Sequence, residues 1–146
     1  MSQIFKSKIP LIGGALLLVC LLVVFFIPTG PDHTPSQVVQ QFIKVYPKDL
    51  VSAATITSWG MRDGLPPEEW VTRIQTTLGD FQFLNGQVVS ETIHDEKAEV
   101  LIDAKISSAL GVQVQREQYH LSIVENKWII DDRAVVMVFP APPTFF

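Results

Sequence analysis

The chain has 146 residues, 47% of them hydrophobic, and a formal net charge of −4. Lys6 and Lys8 are the only charged residues before Asp32, so residues 31–146 carry 9 basic and 15 acidic residues, a net charge of −6. An acidic domain does not attract nucleic acid electrostatically, which excludes nucleic acid as a partner. The only cysteine, Cys20, excludes an internal disulfide bond and a cysteine metal site.

Residues 9–27 form an apolar run without a charged or strongly polar side chain. As a helix, the run would span about 28 Å, close to the hydrocarbon thickness of a bilayer. Positive residues stay on the cytoplasmic side during insertion, and Lys6 and Lys8 both precede the run. The sequence therefore predicts a cytoplasmic tip (1–8), a transmembrane helix (9–27) and a linker (28–33). It places a single-pass protein in a bacterial inner membrane, with the main domain in the periplasm.

A cleaved signal peptide is the alternative interpretation of this run. The run is longer than a usual signal core, and no small-x-small cleavage site follows it, so a retained membrane helix is favoured. Small residues within a membrane helix allow a second helix to approach closely. Gly13 and Gly14 are therefore candidate residues for contact with a partner in the membrane.

Three helices are predicted after the linker. Thr34 can cap a first helix that ends at Pro47, with Gln37 completing a capping box. A second helix is predicted over 49–59. Pro66 and Pro67 begin a third helix, which Gly79 ends.

From residue 81 onward the apolar period changes from 3.6 to 2, which predicts strands. One or two strands lie within 81–94, with a break near Asn85 and Gly86, and further strands are predicted over 98–106, 112–124 and 128–138. The apolar positions of the third segment change parity between Val114 and Tyr119, which predicts a bulge there.

This order of elements, ending in the run from Asn126 to Asp132 (NKWIIDD), resembles the NTF2-like (cystatin-like α+β cone) superfamily over residues 34–135. The resemblance implies an α+β fold for residues 34–138, a cone of three helices on a bent antiparallel sheet behind the transmembrane helix. It also implies that Trp128 packs under the helices. Members of the superfamily include isomerases, dehydratases, secretion-system assembly subunits and non-catalytic binding modules, so the fold does not choose a function.

Enzymes of that superfamily place an Asp, His or Tyr inside the cone, and Tyr46, Asp103 and His120 are the candidates here for a pocket, with Tyr119 beside them. Asp103 shares its strand face with Glu99 and Lys105, which favours a solvated face, and a polar outer face explains His120 as well as a pocket does. No spacing combines them into an acid–base pair. His33, His94 and His120 lack metal-ligand spacing, and neither a nucleophile elbow nor a glycine-rich phosphate loop occurs. We expect no catalytic residues, no cofactor and no metal, and we do not expect a small-molecule ligand.

The carboxy-terminal tail, residues 139–146, is apolar and rich in proline and phenylalanine. Its prolines prevent strand pairing, and exposed large apolar groups usually mark a contact site. Phe139, Phe145 and Phe146 are therefore candidate partner-binding residues. The tail has three possible destinations: the mouth of the cone, the membrane interface or a partner protein.

These expectations favour a non-catalytic, membrane-anchored accessory or assembly subunit of a larger membrane protein complex. Such a subunit would dock through its outer domain, its anchor helix and its tail. The alternatives are a single-pass assembly component resembling those of type IV secretion machines, and a cone that binds a small ligand or acts as an isomerase.

Overall fold

The computed structural model describes residues 30–139 of the chain. Three short helices precede a sheet of four antiparallel strands in the order β1-β2-β3-β4, a simple meander. The helices are α1 (Pro35–Val45), α2 (Leu50–Thr55) and α3 (Pro67–Thr77), and the strands are β1 (Gln82–His94), β2 (Lys97–Ser108), β3 (Gly111–Val124) and β4 (Lys127–Phe139).

Helix α1 begins with the predicted capping box. The Thr34 hydroxyl accepts a hydrogen bond from the Gln37 backbone N–H (3.2 Å), and the Gln37 side chain accepts one from the Thr34 N–H (2.9 Å). This arrangement satisfies two N–H groups that have no partner within the helix. The capping-box prediction is confirmed.

Replacement of Thr34 by Ala should lower the free energy of unfolding by about 1 kcal/mol, because the Gln37 N–H loses its acceptor. Urea denaturation measures the change. Thr76→Ala is the matched control, since Thr76 lies near the exposed end of α3 and bonds only to carbonyls of its own helix. That control should change stability by less than about 0.5 kcal/mol. Equal losses in the two variants would contradict a capping role.

The core lies between the helices and one face of the sheet, which we call the inner face. Helix α1 contributes Val38, Val39, Phe42 and Ile43, and β2 contributes its alternate apolar residues from Ala98 to Ile106. A Cβ atom at Gly86 of β1 would lie only 2.7 Å from Ile43 Cδ1, so this glycine allows α1 to pack closely on the sheet. β1 is continuous through Asn85 and Gly86, and the predicted break is wrong: the register instead shifts at Leu84 and Val89.

The change of parity in β3 does not come from a bulge in that strand. Gln115, Glu117, Tyr119 and Leu121 alternate regularly onto the inner face and are all buried. The apolar pattern changes because two of these inward positions are polar. Arg116 pairs with Met137 of β4, and the next residue, Glu117, pairs with Val135. Val136 is therefore an extra residue without a partner in β3, so the bulge lies in β4.

The prediction of a transmembrane protein is corrected by the described part of the chain. Within residues 30–139, no helix combines the length and the apolarity needed to cross a membrane. The predicted location, a single-pass protein of a bacterial inner membrane with a periplasmic domain, is therefore not retained. Residues 9–27, with Gly13 and Gly14, lie outside the described residues, as do Phe145 and Phe146 of the tail.

Candidate protein-interaction site

A polar cluster lies on the inner face of the sheet and was not predicted from the sequence. The Glu117 carboxylate is fully buried and receives two hydrogen bonds from Arg133, from Nε to Oε2 (2.9 Å) and from Nη2 to Oε1 (2.6 Å). Tyr119 donates its hydroxyl to Oε2 (2.6 Å), and Gln115 donates its amide to Oε1. Each carboxylate oxygen therefore has two donors, and the buried charge is paired and hydrogen-bonded.

Aromatic rings enclose the other side of this cluster. The Arg133 guanidinium lies 5.1 Å from the centre of the Phe83 ring and 5.9 Å from that of Phe81, within the range of cation–π attraction. Burial raises the pKa of Tyr119 well above its ordinary value, and burial likewise raises the pKa of Tyr46. Both phenols therefore stay protonated near neutral pH.

For Arg133, burial lowers the pKa, but the hydrogen bond to Glu117 and the surrounding charges raise it by more, so the net shift is upward. The guanidinium therefore stays charged. A cleft of about 550 Å³ borders Tyr46 and Phe81, but neither Glu117 nor Arg133 lines it. Among residues 30–139, no buried side-chain nitrogen or oxygen lacks a partner. Both oxygens of the Glu117 carboxylate are thus occupied by two donors each, which leaves this carboxylate no free acceptor with which to deprotonate a substrate.

The three residues predicted to share a pocket are not brought together. Tyr46 is buried in the core and stacks on Phe42, with the ring centres 4.9 Å apart. Asp103 and His120 lie on the opposite, outer face of the sheet, since their neighbours along each strand point inward. A pocket containing all three is therefore not formed.

On the outer face, Asp103 accepts two hydrogen bonds from Arg116, at 2.7 and 2.8 Å. His120 is half exposed, with Nε2 3.6 Å from Glu99 and Nδ1 3.8 Å from Asp132. Both distances exceed those of a hydrogen bond. In the described part of the chain, no group of three His, Cys, Asp or Glu side chains could hold a metal ion.

The hydrogen bonds from Arg116 lower the pKa of Asp103, against a smaller upward effect of burial. The stabilisation from this pair is therefore present above the unfolded-state pKa of Asp103 and is lost as the pH falls through its lower folded-state pKa. Asp103→Asn should lower stability at pH 7 by less than about 1 kcal/mol, because the pair is partly exposed. The difference from the natural protein should shrink below pH of about 4.

Urea denaturation between pH 7 and pH 2.5 measures this effect of Asp103→Asn. Asp132→Asn is the control on the same face, where the carboxylate is exposed and makes no close ion pair. A pH-independent loss in Asp103→Asn would contradict the ionic origin of the stabilisation.

The outer edge of β4 is the second feature that stands out. Near its start, Ile130 is covered by the segment after α2: its N–H bonds to the Ile56 carbonyl (2.9 Å), and its carbonyl accepts from the Ser58 N–H (2.8 Å). Beyond Ile130, no other backbone segment within residues 30–139 pairs with this edge. The edge therefore presents unpaired N–H and C=O groups.

The side chains along this free part are uncharged from Ala134 to Phe139. Val135, Val136, Met137 and Val138 are each exposed by 50 to 53%. The predicted partner-binding residue Phe139 ends the strand, where the Arg116 guanidinium lies 5.4 Å from its ring centre. We call residues 134–139 the β4 edge segment. An uncharged, apolar edge of this length is typical of strands that pair with another chain.

The opposite edge of the sheet, β1, is built differently. Polar side chains, among them Asn85, Gln87 and Glu91, interrupt the apolar ones along β1, and like β4 it has two register shifts. Its Glu91 carboxylate accepts a hydrogen bond from the Ser36 N–H at the start of α1 (2.7 Å). Charged side chains are a usual protection of an edge against unwanted pairing. The two edges of the sheet therefore differ in the polarity of their side chains, and the continuous apolar run lies on β4.

Several solved structures are similar in fold. A structure of Bdellovibrio bacteriovorus Bd1075 matches with a TM-score of 0.56 and 12% identity, covering 73% of this chain, which spans about two fifths (40%) of that chain. A SEC-C motif protein from Psychrobacter arcticus matches with a TM-score of 0.48 and 17% identity, covering 82% of this chain and 68% of that one. RPA3114, a SEC-C motif protein from Rhodopseudomonas palustris, matches with a TM-score of 0.45 and 14% identity, covering 68% and 70%.

No protein-family model matches the chain, and no curated protein matches it. The likeness to Bd1075 concerns the fold alone. The predicted assignment to the NTF2-like superfamily is corrected, since neither a family model nor a structural comparison shows that superfamily. The predicted fold class, an NTF2-like cone behind a transmembrane helix, is corrected with it. What the structure describes is a domain of three short helices and a four-stranded antiparallel sheet.

Proposed function

We propose that residues 30–139 form a non-catalytic protein-interaction domain, a subunit of a larger protein assembly that pairs with its partner along the β4 edge segment. The observation that carries the proposal is the run of six uncharged residues on a free strand edge, with four apolar side chains about half exposed. A partner strand would satisfy the unpaired backbone groups and cover the apolar side chains at the same time.

The interior of the domain supports a non-catalytic role. Glu117, the one fully buried carboxylate of the described chain, already receives four hydrogen bonds. A general base needs an acceptor within reach of its substrate, and this carboxylate has none to offer. The more exposed polar residues Asp103 and His120 lie on the outer face, where Asp103 is already paired with Arg116.

A photo-reactive phenylalanine analogue placed at Met137 tests the proposal in cells of the source organism. The same analogue at Val124, which is equally exposed at the β3–β4 hairpin, is the matched control (51% and 50% exposed). We expect irradiation to join the position-137 variant to one defined protein, with the cross-linked peptide lying in an extended segment. Cross-links of equal yield from both positions, or none from position 137, would contradict docking at this edge.

A further inference from the structure

The identity of the strand that pairs with the β4 edge segment can be inferred, and this inference rests on the proposed function. We infer that the strand that pairs with the β4 edge segment comes from a second copy of this chain. The two β4 strands would lie antiparallel about a two-fold axis near Val136 and join the two sheets into one of eight strands. Such an interface uses the same surface on both subunits.

Charge favours this edge for self-association. Residues 31–146 carry a net charge of −6, so two copies repel each other across most of their surfaces. The β4 edge segment has no charge, and Arg133, the nearest charged residue on the strand, is bound to the buried Glu117. In an antiparallel alignment centred on Val136, Val135 faces Met137 of the second copy and Ala134 faces Val138. No like charges therefore lie opposite each other.

The shape of the strand also favours an identical partner. Val136 is the extra residue where the β3–β4 register shifts between Arg116 and Glu117. A bulge increases the local twist of its strand, and at an edge it disturbs pairing with a regular strand. A second copy carries the same bulge at the same place, so a two-fold axis at Val136 makes the twists of the two strands agree.

Cysteine cross-linking of the full-length chain in a mild non-ionic detergent tests this inference. Cys20, the only natural cysteine, is first replaced by Ser. A cysteine at position 136 then lies beside its own copy across the axis, within the short Cα–Cα distance that a disulfide bond requires. Val89→Cys is the matched control, because Val89 is also the extra residue at a register shift on an edge strand and is similarly exposed (45% against 53%).

We expect Val136→Cys to form a disulfide-linked dimer in high yield under mild oxidation and Val89→Cys to form little. Val138→Lys, which places a charge on the edge, should convert the dimer measured by light scattering into a monomer, whereas Val124→Lys should leave it unchanged. Equal cross-linking at positions 136 and 89, or a dimer that survives Val138→Lys, would overturn the inference.

The same experiments separate this inference from the proposed function. A monomeric chain whose position 137 still joins one different protein in cells would overturn the second copy as partner and leave the edge as a docking site. A monomer without any defined cross-link from position 137 would overturn both.

Discussion

Replacement of Glu117 by Gln is expected to lower the free energy of unfolding by about 3 to 5 kcal/mol, the cost of breaking a buried ion pair. The variant leaves the Arg133 guanidinium largely buried without its counter-charge. It also replaces one of the two accepting carboxylate oxygens by an amide N–H₂, so Arg133 together with either Gln115 or Tyr119 would face another donor. Urea denaturation followed by circular dichroism measures the loss.

The outer face provides a matched control for this prediction. Asp103 and Arg116 form the same type of pair, joined through Nε and Nη2, but each side chain is about 30% exposed. Asp103→Asn should therefore cost less than about 1 kcal/mol, and the difference between the two variants isolates the effect of burial. Similar losses of unfolding free energy in the two variants would show that burial does not increase the contribution of the inner pair to stability.

A double replacement distinguishes the cost of an unpaired buried charge from the loss of the other contacts of Glu117. Glu117→Gln combined with Arg133→Met removes both charges, while the amide oxygen at position 117 can still accept from Tyr119. If the loss in the single variant comes from an unpaired buried charge, the double variant should be more stable than the single one. A double variant that is less stable than the single one would contradict an unpaired charge as the cause and would show that the contact of Arg133 with Phe83 stabilises the domain without the ion pair.

Replacement of Phe42 by Ala is expected to cost about 3 to 5 kcal/mol, the range for deleting a fully buried aromatic side chain. Phe42 has no exposed surface, and its ring stacks on Tyr46 and meets Tyr119 edge-on with ring centres 6.0 Å apart. The cavity would lie between α1 and the sheet, where α1 makes its principal contact with β1. The surrounding strands are held in place by the backbone hydrogen bonds between them, so they cannot move far enough to fill the cavity.

Leu110→Ala is the control for this second prediction, since Leu110 at the β2–β3 turn is 94% exposed. It should change stability by less than about 0.5 kcal/mol. Both variants are compared by urea denaturation, together with the slope of the transition. A loss below about 1 kcal/mol in Phe42→Ala would mean that the helices are not packed on the sheet as described.

Short sequence patterns predicted the positions of several helices and strands correctly. The capping box at Thr34, the proline-led start of α3 and the alternation of β2 each act over a few residues, and each element forms where its signal lies. The β4 strand was expected to reach Val138 and reaches Phe139. The family assignment failed because the order of helices and strands, together with a short motif around Trp128, is shared by more than one type of domain.

The candidate site was harder to predict, because its parts pair across strands. Gln115 and Glu117 interrupt the apolar alternation of β3, and the interruption was explained as a bulge in that strand. Tyr119 and Leu121 lie two residues apart and predict an inward-facing position. In a regular strand Glu117, two residues before Tyr119, then lies on the same inner face. Its partner, Arg133, is 16 residues away and is brought opposite Tyr119 only by the register of β3 and β4.

The amino-acid sequence by itself determined the acidic charge, the three helices, the capping box of α1 and the order of the strands along the chain, because these depend on composition and on patterns over a few residues. Helical spacing already placed Tyr46 on the buried face of α1, and strand alternation favoured a solvated face for Asp103, whereas the tertiary structure alone decided that Glu117 and Arg133 meet inside. It also decided that the apolar end of β4 lies on a free edge. These properties depend on which strands are neighbours and in which register, and a shift of one residue in that register would turn each side chain to the opposite face.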